Sequence, residues 1–190
     1  RVKDFEFDHG FQQSTPPPTE HNKLFKPWGD LMVPSPKANI LCKELAQNIQ
    51  IYTSTEIVAL NRIGSQWELS SKDNNIHSPF DAIILTAPPL QTHNLLPANS
   101  TFKHKILEAK MSPCFALMVG YPTLLHTPWN YLKDLSAEIS WVGHNSTKPD
   151  RPHAPSTFIV HSTSLWAQEK LEQDLSQTQT ELLDLFWKQT

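Results

Sequence analysis

The sequence predicts an α/β protein of mixed β-sheets with packed helices, and three observations carry that prediction. Ala82-Ile83-Ile84-Leu85 is a short apolar run without helical spacing, stopped by Pro88 and Pro89, as a strand buried on both faces reads. Residues 50–80 are rich in β-branched side chains and turn residues, the pattern of a meander feeding that strand. Residues 115–121, 139–145 and 157–161 form three more apolar strand patterns before a tail with helically spaced leucines. These three strands are expected to pair antiparallel, giving the second half α+β character.

The elements follow in order. Val2 to Asp8 alternates as if already inside a strand, and Gly10 then bends the chain where backbone approaches another surface. Thr15 to Pro36 contains six prolines and reads as a loop, with at most a short extended piece at Asp30 to Val33. Asn39 to Asn48 is a short amphipathic helix. Gln50 to Asn61 reads as one or two strands and Ile63-Gly64-Ser65 as a turn. Trp67 and Leu69 alternate with polar residues, Asp73-Asn74-Asn75 makes a hairpin turn, and Ile76 to Phe80 returns. Leu90 to Leu96 and Phe102 to Ala109 suit two helices split by Pro97. The tail from Leu165 to Trp187 reads as two helices broken near Asp174 or Ser176.

Composition narrows the function. With 190 residues the chain has room for one domain, or one and a piece of another. A net charge of -3 without a basic cluster argues against nucleic acid or an anionic membrane as partner. No apolar run approaches membrane-spanning length. Cys42 and Cys114 stand outside any CxxC or metal spacing and are expected to be buried free thiols of a cytoplasmic protein. Asn99-Ser100-Thr101 and Asn145-Ser146-Thr147 match the glycosylation acceptor pattern. The nine histidines form no HxH or HExxH, so no metal site is expected. GxSxG, a phosphate loop and GxGxxG are all absent.

At Asp8 to Gln12, Asp81 to Pro88, Pro113 to Met118 and Trp141 to Pro149 the sequence resembles flavin-containing amine oxidase-like proteins of the renalase-like bacterial group. The resemblance implies a partial Rossmann-like FAD domain joined to a substrate domain. Residues 1–36 would hold the flavin-approach strand and proline-rich loop, residues 37–90 the remaining FAD-domain elements, and residues 91–190 the substrate-domain sheet and helices. The family's GxGxxG is missing, which makes the chain an internal fragment, inactive alone. FAD is the implied cofactor. Gly10, Phe11 and Gln12 would approach the flavin ring, Ile57 the adenine edge through its backbone, and Thr86, Ala87 and Pro88 the dinucleotide. Two departures stand out: Gln13 replaces the usual aromatic, and residues 15–36 are richer in proline than the family's helical insert.

The implied reaction is hydride transfer from an amine or a reduced nicotinamide-like compound to flavin, which oxygen reoxidises. Trp141, His144 and Asn145 are the expected lining of the substrate pocket. Trp141 reads equally as core, His144 as a strand-end cap, and His161 as core. No catalytic base is evident. The expected partners are a small-molecule substrate and a second copy, held through a sheet edge left open by missing Rossmann strands. The alternative is a cofactor-free binding or scaffold domain on the same framework. A hydrolase would need an activated pair such as Cys114 with a histidine, which burial of Cys114 in a strand disfavours.

Overall fold

Backbone alternation places an antiparallel four-stranded sheet at the centre of the larger of two units. The computed structural model describes residues 5–8, 23–73 and 75–190, with residues 76–78 given by backbone alone. In chain order the elements are β1 Phe25–Trp28, β2 Leu31–Pro34, α1 Ile40–Leu45, β3 Ile57–Ile63, β4 Gln66–Ser71, β5 Ile76–Phe80, α2 Pro89–Leu95 and α3 Lys103–Ile106. Then come β6 Ala116–Tyr121, β7 Tyr131–Lys133, β8 Ile139–His144, β9 Ser156–Ser162, α4 Ser164–Lys170 and α5 Leu175–Gln189. One unit comprises Arg1–Ile49 with Pro113–Thr190, and the other is Gln50–Ser112.

In the larger unit the strand order is β6-β9-β8-β7, antiparallel throughout. One face of this sheet is covered by helices. Val119, Ile139, Val142, Phe158 and Val160 pack there against Trp166 of α4 and Leu182 and Phe186 of α5. Thr163 caps α4 by accepting from the Trp166 N–H, and Asp174 caps α5 by accepting from the N–H groups of Ser176 and Gln177. Asp174 therefore marks the break expected in the tail. Thr178, Leu182 and Phe186, one turn apart, form the buried stripe of α5.

The opposite face is covered by the β1–β2 hairpin. Trp28, Leu31 and Val33 pack on Trp141 and Ile159, with Phe7 and Tyr131 alongside. A register shift in the β8–β9 ladder between Ile139 and Trp141 turns these residues, two apart, to opposite faces. The hairpin corrects the expectation of a loop over residues 15–36, of which 15–22 lie outside the described residues. Its prolines are tolerated because a two-stranded ribbon needs ladder donors on its inner edges only. Gly29, at a φ of +65°, makes its turn. Strand β7 was not legible either, being only three residues long.

The smaller unit holds the expected meander, β3-β4-β5, antiparallel throughout, although residues 50–56 form no strand. The expected buried strand at residues 82–85 is not formed. The run pairs with nothing regular, and Ile84 is 89 % exposed. An apolar strand of that kind needs parallel neighbours, and every strand pair among the described residues is antiparallel. Both cysteines are free and exposed rather than buried, because Cys114 precedes β6 instead of lying in it. Among the described residues no helix is long and apolar enough to cross a membrane.

The indole of Trp141 lies directly over Gly143, where an added Cβ would fall 2.1 Å from a ring carbon. Gly143→Ala is therefore expected to displace the indole and to destabilise the fold by about 1–3 kcal/mol, read by urea unfolding.

Candidate functional site

The loop that leaves β8 is shaped by small hydroxyl residues. Thr147 Oγ1 donates to the His144 carbonyl at 2.8 Å and accepts from Trp28 Nε1 at 2.8 Å. Ser146 Oγ accepts from the Thr157 N–H at 2.9 Å and donates to the Pro155 carbonyl at 3.0 Å. These bonds join the loop to β9 and the hairpin, and they turn Lys148 and Arg151 inward.

Arg151 donates through Nε and Nη2 to Asp8 Oδ2 at 3.0 and 2.5 Å. Its remaining N–H groups go to the carbonyls of Pro34, at 2.9 Å, Pro149, at 3.0 Å, and Pro36. Asp8 Oδ1 accepts from the Ala38 N–H at 3.2 Å. Lys148, only 1 % exposed, brings its Nζ to 3.6 Å from Asp8 Oδ2 and 5.3 Å from the Trp28 ring centre. Burial pushes the Lys148 ammonium down to about 8; Asp8 partly restores it and Arg151 lowers it again. Beside this cluster lies a cavity of about 180 Å³ lined by Glu6, Asp8, Asn145, Ser146, Arg151 and Thr157 among others.

Among the described residues, the cavity beside this cluster is lined by Asn145 but not by Trp141 or His144, the other two expected substrate-pocket residues. Trp141 is buried, 6.4 Å from the Trp28 ring and 5.2 Å from the His161 ring. His144 points into the helix-covered core, stacked on Phe158 at 4.3 Å with its Nδ1 2.9 Å from Thr127 Oγ1. Burial lowers its pKa to about 4, so the ring is neutral. Asn145 donates to Thr157 Oγ1 at 3.4 Å and to the Glu6 carbonyl at 3.5 Å, and is the one of the three that lines the cavity. His161 is half-buried, its pKa lowered by burial and then by the Lys148 charge.

On the smaller unit, Ile57 pairs with Ser71 and lines a cavity of about 230 Å³ with Tyr52, Thr55, Leu69 and Phe80. Thr86, Ala87 and Pro88 are exposed and line none of the cavities described here. The carbonyls of Ala87 and Pro88 accept from the hydroxyl and N–H of Thr92. Gly10, Phe11 and Gln12 lie outside the described residues. A pyrophosphate needs free backbone N–H groups at a helix start. Helix α2 begins at Pro88-Pro89, neither of which has an N–H, and Asp174 already occupies the first donors of α5. Neither of these two helix starts therefore offers free donors to the phosphates of a dinucleotide.

Asp8, Lys148 and Arg151 were not singled out as site residues. Asp8 and Lys148 stand inside motifs that carried the resemblance, and a lysine and an arginine three apart among prolines were the available signal.

Two pH dependences follow. The folded chain releases the Lys148 proton near pH 8 and the unfolded chain near 10.5, so the unfolded state binds more protons between these values and stability rises with pH across that window. The rise is expected to reach about 3 kcal/mol and to vanish in Lys148→Met, read by urea unfolding at stepped pH. His144 acts with the same sign in an acidic window: neutral when folded down to about pH 4 but protonated below about 6.5 when unfolded, it makes stability fall on acidification between those values. His144→Phe is expected to flatten that part of the profile.

No family model matches the sequence. The fold resembles the crystal structure of a protein from Exiguobacterium sp. 255-15 provisionally named as a protoporphyrinogen oxidase, with a TM-score of 0.59 and 15 % identity. The match covers 84 % of this chain and 37 % of that one, so this chain spans little more than a third of the length of that structure. The two share a fold.

Proposed function

We propose that the chain is part of an FAD-dependent oxidoreductase of the amine-oxidase type, holding its substrate-side sheet and the meander part of its FAD-binding domain. The observation that carries this reading is the fold it shares with a protein provisionally named as an oxidase. The motif resemblance at Asp8 to Gln12 and Trp141 to Pro149 supports it. The chemistry FAD would supply is oxidation of an amine or a reduced nicotinamide-like substrate, with oxygen as the final acceptor.

Within this reading the chain's own residues wall and orient the substrate. Trp141, buried with Trp28 and beside His161, backs this region from within the hairpin-covered core. Asn145 supplies polar contact from the loop, and His144 holds that loop from beneath as a neutral, packed ring. Ile57 and Thr86 to Pro88 would meet the dinucleotide, to whose phosphates the starts of α2 and α5 offer no free donor. On this reading the chain alone is inactive, since it lacks a GxGxxG segment.

The absence of phosphate donors at α2 favours a second reading, a binding or scaffold domain without cofactor. Visible absorption spectra with and without added FAD separate the two, comparing this chain with a longer version bearing a GxGxxG segment upstream of Arg1. Flavin bands retained by the longer version alone are the expected result. If both stay colourless, the oxidoreductase reading fails and the binding domain replaces it.

A further inference from the structure

We propose that the smaller unit binds a small amphipathic carboxylate, its charged end on Arg62 and its apolar body in a cavity between the meander and helices α2 and α3. The cavity measures about 580 Å³, within the size range of small-molecule sites. It lies wholly inside residues 60–106, so one unit builds it. Ile57 and Thr86 to Pro88, the residues expected to meet a dinucleotide, do not line it.

Three stretches of sequence build it. On β3, Leu60 and Arg62 are alternate residues and share a face of the sheet. Leu60 is buried, and Arg62 stands opposite Trp67 of β4 in the ladder, its guanidinium carbon 4.9 Å from the indole centre. The second stretch is the apolar run that forms no strand. Ile83 and Leu85 are half-buried and line the cavity, while Ile84 between them stays in solvent. Alternation thus survives without a ladder. The third stretch is the helix pair, where Leu96, Phe102 and Ile106 complete the apolar wall. Thr92 lines the cavity as well, but its hydroxyl is already donated to the Ala87 carbonyl at 2.8 Å.

Charge complementarity names the occupant. Arg62 is the charged side chain on the lining, and no carboxylate stands there among the described residues. Its Nε donates to the Gly64 carbonyl at 3.2 Å, and its terminal nitrogens have no hydrogen-bond or ion-pair partner among the described residues. Stacking on Trp67 holds the guanidinium fork in place, so it loses little freedom on taking a carboxylate. Lys103 adds positive charge beside the wall, its Nζ donating to the Leu96 carbonyl at 2.8 Å. An anion is favoured here and a cation opposed. The remaining polar lining residues, Asn99, Ser100 and Thr101, are uncharged. A polar body would lose its water against the leucines and isoleucines without regaining hydrogen bonds. The ligand that matches is one carboxylate on a hydrocarbon body.

The test is isothermal titration calorimetry with octanoate, octanol and octylammonium, on this chain and on Arg62→Met, Leu85→Gln and Ile84→Gln, each checked for native circular dichroism. One octanoate is expected to bind per chain with a Kd below about 1 mM, and octylammonium at least about ten-fold more weakly. Arg62→Met is expected to weaken octanoate about ten-fold and leave octanol unchanged. Leu85→Gln should weaken both, and Ile84→Gln neither. Octanoate that does not saturate at millimolar concentration, equal affinity for octylammonium, or octanoate binding undiminished in Arg62→Met would each overturn the proposal. The comparison of the three ligands uses the unaltered chain, so it decides the matter even where a variant misfolds. Flavin plays no part in the titration, so its outcome is independent of the oxidoreductase reading. Displacement of bound octanoate by added FAD would overturn the proposal by giving the cavity to the dinucleotide.

Discussion

The larger unit depends on one buried ion pair. Arg151 and Asp8 lie 143 positions apart, and the guanidinium commits all five N–H groups to Asp8 and three carbonyls. Those contacts bring together residues 5–8, the end of the hairpin and the loop after β8. A buried pair of this kind adds little net stability over an apolar substitute, yet removing one partner strands the other charge and is strongly destabilising. It joins three segments that are far apart in sequence. Asp150 adds a surface counterpart, held well below the usual carboxylate range by Lys26 at 2.6 Å and then by the Ser35 hydroxyl.

Lys148 is the unusual member of this region. Two cations share the surroundings of Asp8, and the lysine lies under an indole rather than in water. Cation–π attraction to Trp28 offsets part of the desolvation. The resulting positive field reaches His161 and disfavours its protonation. The hairpin-covered face of the sheet therefore combines neutral aromatic rings with a buried cation beneath them.

Much of the architecture was legible because it is local. Apolar strand patterns located β6, β8 and β9, and helical spacing with Asp174 located α5 and its break. The run at 82–85 misled because a fully buried strand is defined by neighbours, which the run itself does not encode. The hairpin at 25–34 was hidden by its prolines, whose tolerance depends on which edge stays unpaired. Of the candidate site, the parity of positions was informative: Trp141 and His144 are an odd number apart in one strand, so they must face opposite sides. The burial of Lys148 and Arg151 was not legible, since it rests on Asp8 at the far end of the chain.

The burial of Asn145 bears on the two acceptor patterns in the sequence. Asn145 is 3 % exposed in the tight turn after β8, whereas Asn99 is exposed. A sugar transferred to Asn145 on a nascent chain would have no room once Ser146 and Thr157 closed around it. The folded loop and a glycosylated Asn145 are mutually exclusive states, so a secretory route that modified the chain before folding would trade away the loop that holds Lys148 and Arg151 in place.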